Sequence, residues 1–344
     1  MSDIEWEHYP LVAEQTRAKA WLQFQADRGL ADNTVQAYGS ALEDYLRFCA
    51  RLKVEAEMAT RDHLARYIRD LNERMVPSPQ APTALKTGFS NATQRQRLTA
   101  VRLFYDYLVE EGQRETKPVG RGRYTPGKPT GGQRGAIPTY HRLPWIPTDE
   151  EWRTLLEATR EAPIRTRFML ALGYDAGLRR EELCLLETGD IDPARRLLSI
   201  RAQTTKNRRA RVVPYSEATG ALYAAYLHHR RTLSHERGRL LLSESRRNFG
   251  KPLAIWTWSK VIHDLAQRTA LERFTTHTLR HLCLTDLARA GWDLHEIALF
   301  AGHRSTQTTL LYIHLSGREL AAKFQNGMAQ LHHWRLTLMQ ELWP

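Results

Sequence analysis

The chain has 344 residues, with 50 lysines and arginines against 38 aspartates and glutamates, for a net charge of +12. That length is long for one core, so two domains are expected, and the charge calls for a polyanionic partner, nucleic acid ahead of a membrane surface. No apolar run is long enough to span a bilayer, and the acidic start, Met-Ser-Asp-Ile-Glu-Trp-Glu, lacks the basic and apolar regions of a signal peptide, so a cytoplasmic, nucleoid-associated protein is expected.

Residues 12–112 read as helices only. One apolar-periodic run covers Leu11 to Asp27. A second starts near Asn33-Thr34, a good N-cap pair, and puts Tyr38, Leu42, Tyr45, Leu46 and Cys49 on one face. A third follows Thr60 with Leu64, Tyr67, Ile68 and Leu71. A fourth runs from Ala92 to Glu111 with Leu98, Val101, Phe104, Tyr105 and Leu108, and Gly112 is its stop. Between the third and fourth, Val76-Pro-Ser-Pro-Gln-Ala-Pro82 is a clear break. Four such helices make a small bundle.

Residues 116–148 contain no acid, are rich in proline and glycine, and carry Lys117, Arg121, Arg123, Lys128, Arg134 and Arg142. This is a linker, solvated or lying along a phosphate backbone; one segment can do both. From Thr148 the pattern is mixed. Thr148-Asp-Glu-Glu starts a helix with a capping threonine and acids in its first turn, and Ile164 to Ala176 is an apolar helix ending at Gly177. Leu197–Arg201 and Arg211–Val213 read as strands joined by a basic turn. Helices follow at Glu217 to Arg231, Trp256 to Arg268 and Thr278 to Ala290. The tail from Gly317 carries Leu320, Phe324, Met328, Leu331, Trp334 and Leu338 on one helical stripe, to be packed on its own domain or on a neighbouring subunit. No G-x-G-x-x-G or Walker sequence occurs, which argues against a nucleotide-binding α/β fold. Cys49, Cys184 and Cys283 show no ligand spacing and are expected as buried thiols. The fourteen histidines offer no established metal-ligand spacing either, so neither metal nor cofactor is expected.

The last third concentrates the chemistry: His277-Thr-Leu-Arg280-His281, Ala301-Gly302-His303, and Tyr312 nine residues on. An arginine pairs its planar fork with two phosphate oxygens, and histidines move protons near neutral pH. A phenol with a pKa of about 10 attacks a phosphodiester only when such groups help it. Upstream lie Gly177-Leu-Arg179-Arg-Glu-Glu182-Leu183 and Lys206-Asn-Arg-Arg-Ala-Arg211-Val-Val-Pro214. In this order, over most of residues 145–315, the four segments resemble the signatures of the tyrosine recombinases, the phage-integrase family: G-x-R-x-x-E-L, K-x-x-x-x-R-x-x-P, H-x-L-R-H and L-G-H … Y. Two departures, Leu284 before Thr285 and Phe300-Ala-Gly-His303 for L-L-G-H, exchange one packing residue for another.

The resemblance implies a mainly α protein. Residues 1–115 would be a SAM-like helical core-binding domain that binds DNA, 116–147 the basic linker, 148–316 a mostly helical catalytic domain with a small antiparallel sheet, and 317–344 a C-terminal helix. It implies site-specific cutting and rejoining of double-stranded DNA through a 3′-phosphotyrosyl link on Tyr312, by a homo-tetramer on two duplexes, without ATP or metal. Arg179 and Arg280 would clamp the phosphate. The register selects Arg179 over Arg180, with Glu182 one turn on to orient it. Lys206 would protonate the leaving 5′ oxygen, His277 accept or relay the tyrosine proton, and His303 donate to the phosphorane. His281 is read as structural, facing away if Arg280 faces in, and His314 as uninvolved. A type IB topoisomerase, which would relax supercoils as a monomer, and a DNA-binding protein that no longer cleaves are the rival readings. The second would be marked by loss of one of the six residues, and all six are present.

Overall fold

The computed structural model describes residues 4–77, 85–119, 137, 143–315 and 339. The chain divides into two units, Met1–His141 and Arg142–Pro344. Most of the 116–147 linker and nearly all of the 317–344 tail lie outside the described residues.

The first unit holds α1 (Pro10–Glu14), α2 (Thr16–Asp27), α3 (Asp32–Arg51), α4 (Arg61–Glu73), the strands β1 (Met75–Pro77) and β2 (Leu85–Thr87), and α5 (Asn91–Glu110). Trp21, Leu42, Leu46, Tyr45, Tyr67, Phe104 and Tyr105 fill its core. The buried phenols are satisfied in a chain. Tyr105 donates to the Ala56 carbonyl at 2.6 Å and, its proton thus committed, accepts from the Tyr45 hydroxyl at 2.7 Å. Three expectations are corrected here. The run from Leu11 to Asp27 is two helices, because Gln15 is extended (φ −88°, ψ 110°). The buried Glu43 carboxylate takes the Val12 amide at 3.0 Å and helps to dock the short α1 on α3, beside the packing of the Val12 side chain. The second long helix begins at Asp32 with Ala31 at its N-cap, ahead of the Asn33-Thr34 pair. The proline-rich break opens with Val76 in an antiparallel strand pair, Val76 opposite Lys86; residues 78–84 lie outside the described residues.

The second unit runs α6 (Asp149–Ala158), α7 (Ile164–Asp175), α8 (Arg180–Cys184), β3 (Ile191–Asp192), β4 (Leu197–Ile200), β5 (Arg211–Pro214), α9 (Glu217–Leu233), α10 (Ile255–Arg268), α11 (Thr276–Arg289), α12 (Leu294–Ala301) and α13 (Gln307–Leu315). Thr148 caps α6 reciprocally with Glu151, as its sequence foretells. The three strands form one antiparallel sheet in the order β3-β4-β5, with Leu198 opposite Val213 and Ile200 opposite Arg211. The core gathers Phe168, Leu172, Leu198, Val213, Tyr226, Trp258, Leu265, Leu279 and Ile297. Polar ties hold α7 in place: Tyr174 donates to Asp286 of α11 at 2.8 Å, and Thr219 of α9 donates to Asp175 at 2.6 Å. All three cysteines are buried free thiols. Among the described residues no helix is long and apolar enough to cross a membrane, and no cluster of three or more histidines, cysteines or acids could hold a metal.

Gly177 ends α7 with φ 54°, and a Cβ there would stand 3.2 Å from Phe300 and 3.4 Å from the Cys283 sulfur. Gly291 is left-handed too, at φ 88°, but faces open space. An L side chain in this backbone region costs roughly 1–2 kcal/mol. Gly291→Ala should show that cost in urea unfolding, and Gly177→Ala should exceed it because Phe300 must also give way. Equal losses would mean that the Phe300 contact relaxes freely.

Candidate active site

Arg179 is the N-cap of α8, placed there by the left-handed turn at Gly177. Its backbone amide donates to Glu182 Oε2 at 2.9 Å and its Nη1 to Glu182 Oε1 at 2.7 Å. Glu182 is 1% exposed and also receives Arg211 of β5, Nη2 to Oε2 at 2.7 Å and Nη1 to Oε1 at 3.1 Å. One carboxylate therefore holds two guanidinium groups from different elements. Arg180 turns elsewhere, to Glu181 at 2.6 Å and to Ser259 of α10 at 3.1 Å.

Arg280 on α11 is 3% exposed. Its Nη1 donates to the Gly177 carbonyl at 2.5 Å and its Nη2 to the Ala301 carbonyl at 2.6 Å. Nη2 also stands 3.0 Å from His303 Nε2. A guanidinium has no lone pair to offer, so His303 Nε2 is the acceptor, and the ring proton sits on Nδ1, which donates to Thr309 Oγ1 at 2.9 Å. His303 follows Gly302, the left-handed cap of α12 (φ 63°). Its ring lies parallel to that of Tyr312 on α13, centroids 6.0 Å apart.

Tyr312 is 3% exposed. Its hydroxyl stands 3.0 Å from Nδ1 of His281, a residue the sequence reading sets aside as structural. The geometry of α11 explains the correction. At about 100° per residue, Arg280 lies about 60° to one side of His277 and His281 about 40° to the other, so all three share a face. The His277 ring, on the exposed edge, is 6.3 Å from that of His281.

Lys206 stands apart from the other five, exposed in the loop between β4 and β5. Its neighbour Asn207 donates to the Gly302 carbonyl at 3.0 Å, and the Arg211 guanidinium packs where a Gly302 Cβ would come within 3.0 Å of it. The lysine loop is thus tied at 207 and 211 to the turn that carries His303. Asn207 and Thr309 are residues beside the site that sequence reasoning passed over, and His281 is one it read as structural. Arg211 was visible in its motif, but its partner lies 29 positions away.

The charges act on one another. Burial alone would raise Glu182, but Arg211 and Arg179 bring it down to about 2. Burial, then Arg179, lowers Arg280 to about 10. His303 falls to about 3 through burial and the charges of Arg280, Arg179 and Arg211; His281 falls to about 4 through burial, His277 and Arg280. His277 is lowered as well, first by partial desolvation, against the opposing pull of Glu181. Burial pushes the Tyr312 phenol up, while Arg280 and Arg179 pull the other way. Near neutral pH the site holds a protonated phenol, neutral imidazoles and an excess of guanidinium charge, which suits an incoming phosphate.

Residues 147–319 match the model of the phage integrase family, and residues 19–112 that of the phage integrase N-terminal SAM-like domain. Tyrosine recombinase XerD of Caulobacter vibrioides is 30% identical over 316 residues, which span 88% of this chain and 93% of that protein. Its namesake from Halalkalibacterium halodurans is 26% identical over 309 residues, 86% and 92% of the two chains. Among solved structures, the fold is similar to that of the XerH site-specific recombinase bound to a palindromic difH substrate (TM-score 0.61, 19% identity, 85% of this chain and 80% of that one). It is also similar to the Tn1549 transposon integrase in complex with circular intermediate DNA (TM-score 0.63, 15% identity, 87% and 95%).

Removing one partner of a buried ion pair costs about 3–5 kcal/mol, so Glu182→Gln should destabilise the protein by about that much at pH 7. The folded pKa of about 2 lies below the ordinary 4.5, so the stabilisation is complete above pH 4.5 and is lost as pH falls from there towards 2. The stability gap between wild type and variant, from urea titrations, should narrow across that window. A gap independent of pH would mean that the carboxylate charge is not what holds the two arginines.

Proposed function

The chain belongs to the phage integrase family of tyrosine recombinases, enzymes that cut and rejoin DNA at specific sites, and we propose that Tyr312 is its nucleophile. The observation carrying this reading is the buried Tyr312 hydroxyl in the field of Arg280 and Arg179 and beside the His303 ring. Its oxygen attacks the phosphorus, the bond to the 5′ oxygen breaks, and the 3′ phosphate stays on Tyr312. The link conserves the energy of the phosphodiester, so rejoining is the same step run backwards and needs no ATP.

Arg179 and Arg280 hold the two non-bridging oxygens, where charge grows in the phosphorane, and Glu182 keeps Arg179 aimed. His303 donates to the same oxygens. For that, Arg280 must turn from His303 Nε2 to the phosphate, and Nε2 must gain a proton, which the phosphate's negative charge favours. Lys206 protonates the leaving 5′ oxygen, and His277, at the solvent edge, relays the phenol proton. The partner is double-stranded DNA bearing a recombination site on the nucleoid. Residues 1–115 and 148–316 each contribute to DNA binding, and four copies act together on two duplexes. The family and the recombinase relatives favour this over relaxation by a topoisomerase-like monomer.

Tyr312→Phe should keep DNA binding and lose the covalent adduct on a nicked suicide substrate, scored on a denaturing gel. Arg179→Ala should cut cleavage roughly 100-fold or more, the scale for one preorganised donor. Arg180→Ala, which loses contacts only to Glu181 and Ser259, should stay near wild type. Adduct formation by Tyr312→Phe would move the nucleophile elsewhere, and an Arg180 effect equal to that of Arg179 would undo the choice of clamp.

A second test isolates Lys206. An alkoxide leaving group needs a proton, whereas a thiolate, with a pKa of about 8.5 by analogy with cysteine, does not. Lys206→Ala should be crippled on ordinary DNA and regain much of its rate when sulfur replaces the bridging 5′ oxygen, while Arg179→Ala gains little. Equal rescue of both would remove the lysine from this role.

A further inference from the structure

We propose that His281 is a catalytic residue of the cleavage step: its Nδ1 takes the proton of the Tyr312 hydroxyl as the phenol oxygen attacks phosphorus, and returns it on rejoining. The inference rests on Tyr312 being the nucleophile, and it replaces His277 as the group that first receives the proton.

Two histidines, His281 and His303, lie against the phenol and a third, His277, lies beyond His281, and their bonding separates them. His303 lies parallel to the Tyr312 ring, and both its nitrogens are engaged, Nε2 by Arg280 at 3.0 Å and Nδ1 by Thr309 at 2.9 Å. His277 is on the exposed edge of α11, and its ring contact is with His281. His281 alone of the three is recorded in a hydrogen bond with the Tyr312 hydroxyl, at 3.0 Å, within the reach a general base needs. The direction of that bond follows from the other neighbour of the oxygen. Arg280 faces the phenol oxygen and can only donate to it, which leaves the O–H to point at Nδ1. His281 is then the tautomer with its proton on Nε2, a neutral imidazole with a lone pair on Nδ1.

The protonation state agrees. Burial, His277 and Arg280 hold His281 near pKa 4, so it is unprotonated at neutral pH and able to accept. A base that weak would not ionise a resting phenol. The phosphate changes both sides of the transfer. Its charge offsets that of Arg280, raising His281, and the forming O–P bond acidifies the phenol as it reacts. The balance is complete: the Tyr312 O–H bond breaks and an N–H bond forms on His281, while the O–P bond forms and the P–O5′ bond breaks. The 5′ oxygen takes its proton from Lys206. Proton transfer concerted with attack keeps phenolate from forming beside an empty clamp, where it would merely neutralise Arg280.

The test separates a base from a hydrogen-bond prop. In His281→Asn an amide oxygen takes the approximate place of Nδ1; it can accept a hydrogen bond but not hold a proton. His281→Leu removes both abilities. Single-turnover cleavage on the suicide substrate should fall about 100-fold or more in both variants, the range for losing a general base, with DNA binding and melting temperature close to wild type. A 5′-bridging sulfur should rescue neither, because the missing acceptor serves the nucleophile rather than the leaving group. Introducing a fluorinated tyrosine that ionises near neutral pH at position 312 should restore most of the rate to His281→Leu, since a phenolate needs no base. Near wild-type cleavage by His281→Asn, or no recovery with fluorotyrosine, would overturn the proposal and leave His281 a positioning residue. If the variants do not fold, the unsubstituted chain carries the test. On the 5′-sulfur substrate the phenol proton is the one in flight, so cleavage should slow measurably in D2O, and an unchanged rate would overturn the proposal. Adduct formation by Tyr312→Phe in the same assay would instead sink the nucleophile reading on which this one stands.

Discussion

The site is organised by a deliberate mismatch of charge around Glu182. This one buried carboxylate answers Arg179 and Arg211, while Arg280, equally buried, relies on the carbonyls of Gly177 and Ala301. Guanidinium charge out of water is expensive unless hydrogen-bonded and paired. Neutral carbonyls satisfy the hydrogen bonds of Arg280 without cancelling its charge. The surplus is thus held in place by geometry, and on the proposed reading a phosphate is the group that completes the balance.

Burial first, and this surplus second, set the state of the protons nearby. Burial and then the guanidinium charges press His303 to about 3; burial, His277 and Arg280 hold His281 near 4; and burial raises the Tyr312 phenol against the pull of Arg280 and Arg179. The resting centre is therefore chemically quiet: the Tyr312 phenol is protonated, and the histidines are neutral. On the proposed reading, a bound phosphate offsets the guanidinium part of these shifts, so that substrate binding and activation of Tyr312 become one electrostatic event.

Much of this was legible in the chain, for local reasons. Thr60 and Thr148 announce helix starts because their caps are made within three residues, and Gly177 and Gly302 announce stops because left-handed backbone suits glycine. The order of His277, Arg280, His303 and Tyr312 points to one place in the fold, and the structure brings Arg280, His303 and Tyr312 together there. What escaped is set by partners distant in sequence. The break at Gln15 interrupts an unbroken apolar periodicity, and the docking of α1 depends on Glu43, 31 residues from the Val12 amide it accepts. The strand β1 is only Met75, Val76 and a proline, and its pairing with β2 is what defines it. His281 was misjudged by treating adjacent helical residues as opposed. A rotation of about 100° separates neighbours, which still leaves both able to border one cleft.

The loop that carries Lys206 shows how the remaining part is attached. Its strand β5 is joined to β4 by the sheet, and Arg211 at the strand's start is locked to Glu182. Asn207 fastens the loop to the Gly302 carbonyl, one residue before His303. Anchors at 207 and 211 thus link the Lys206 loop to Glu182, the partner of Arg179, and to the turn before His303, while the Lys206 side chain itself remains exposed. Division of labour follows from this arrangement. The arginines are held in hydrogen-bonded networks; on the proposed reading the lysine meets a leaving oxygen whose position is defined only by bound DNA, and an exposed chain on an anchored loop can do that. A shift of the loop would reach Glu182 through Arg211, so the acid and the clamp share one mechanical support although their side chains do not touch.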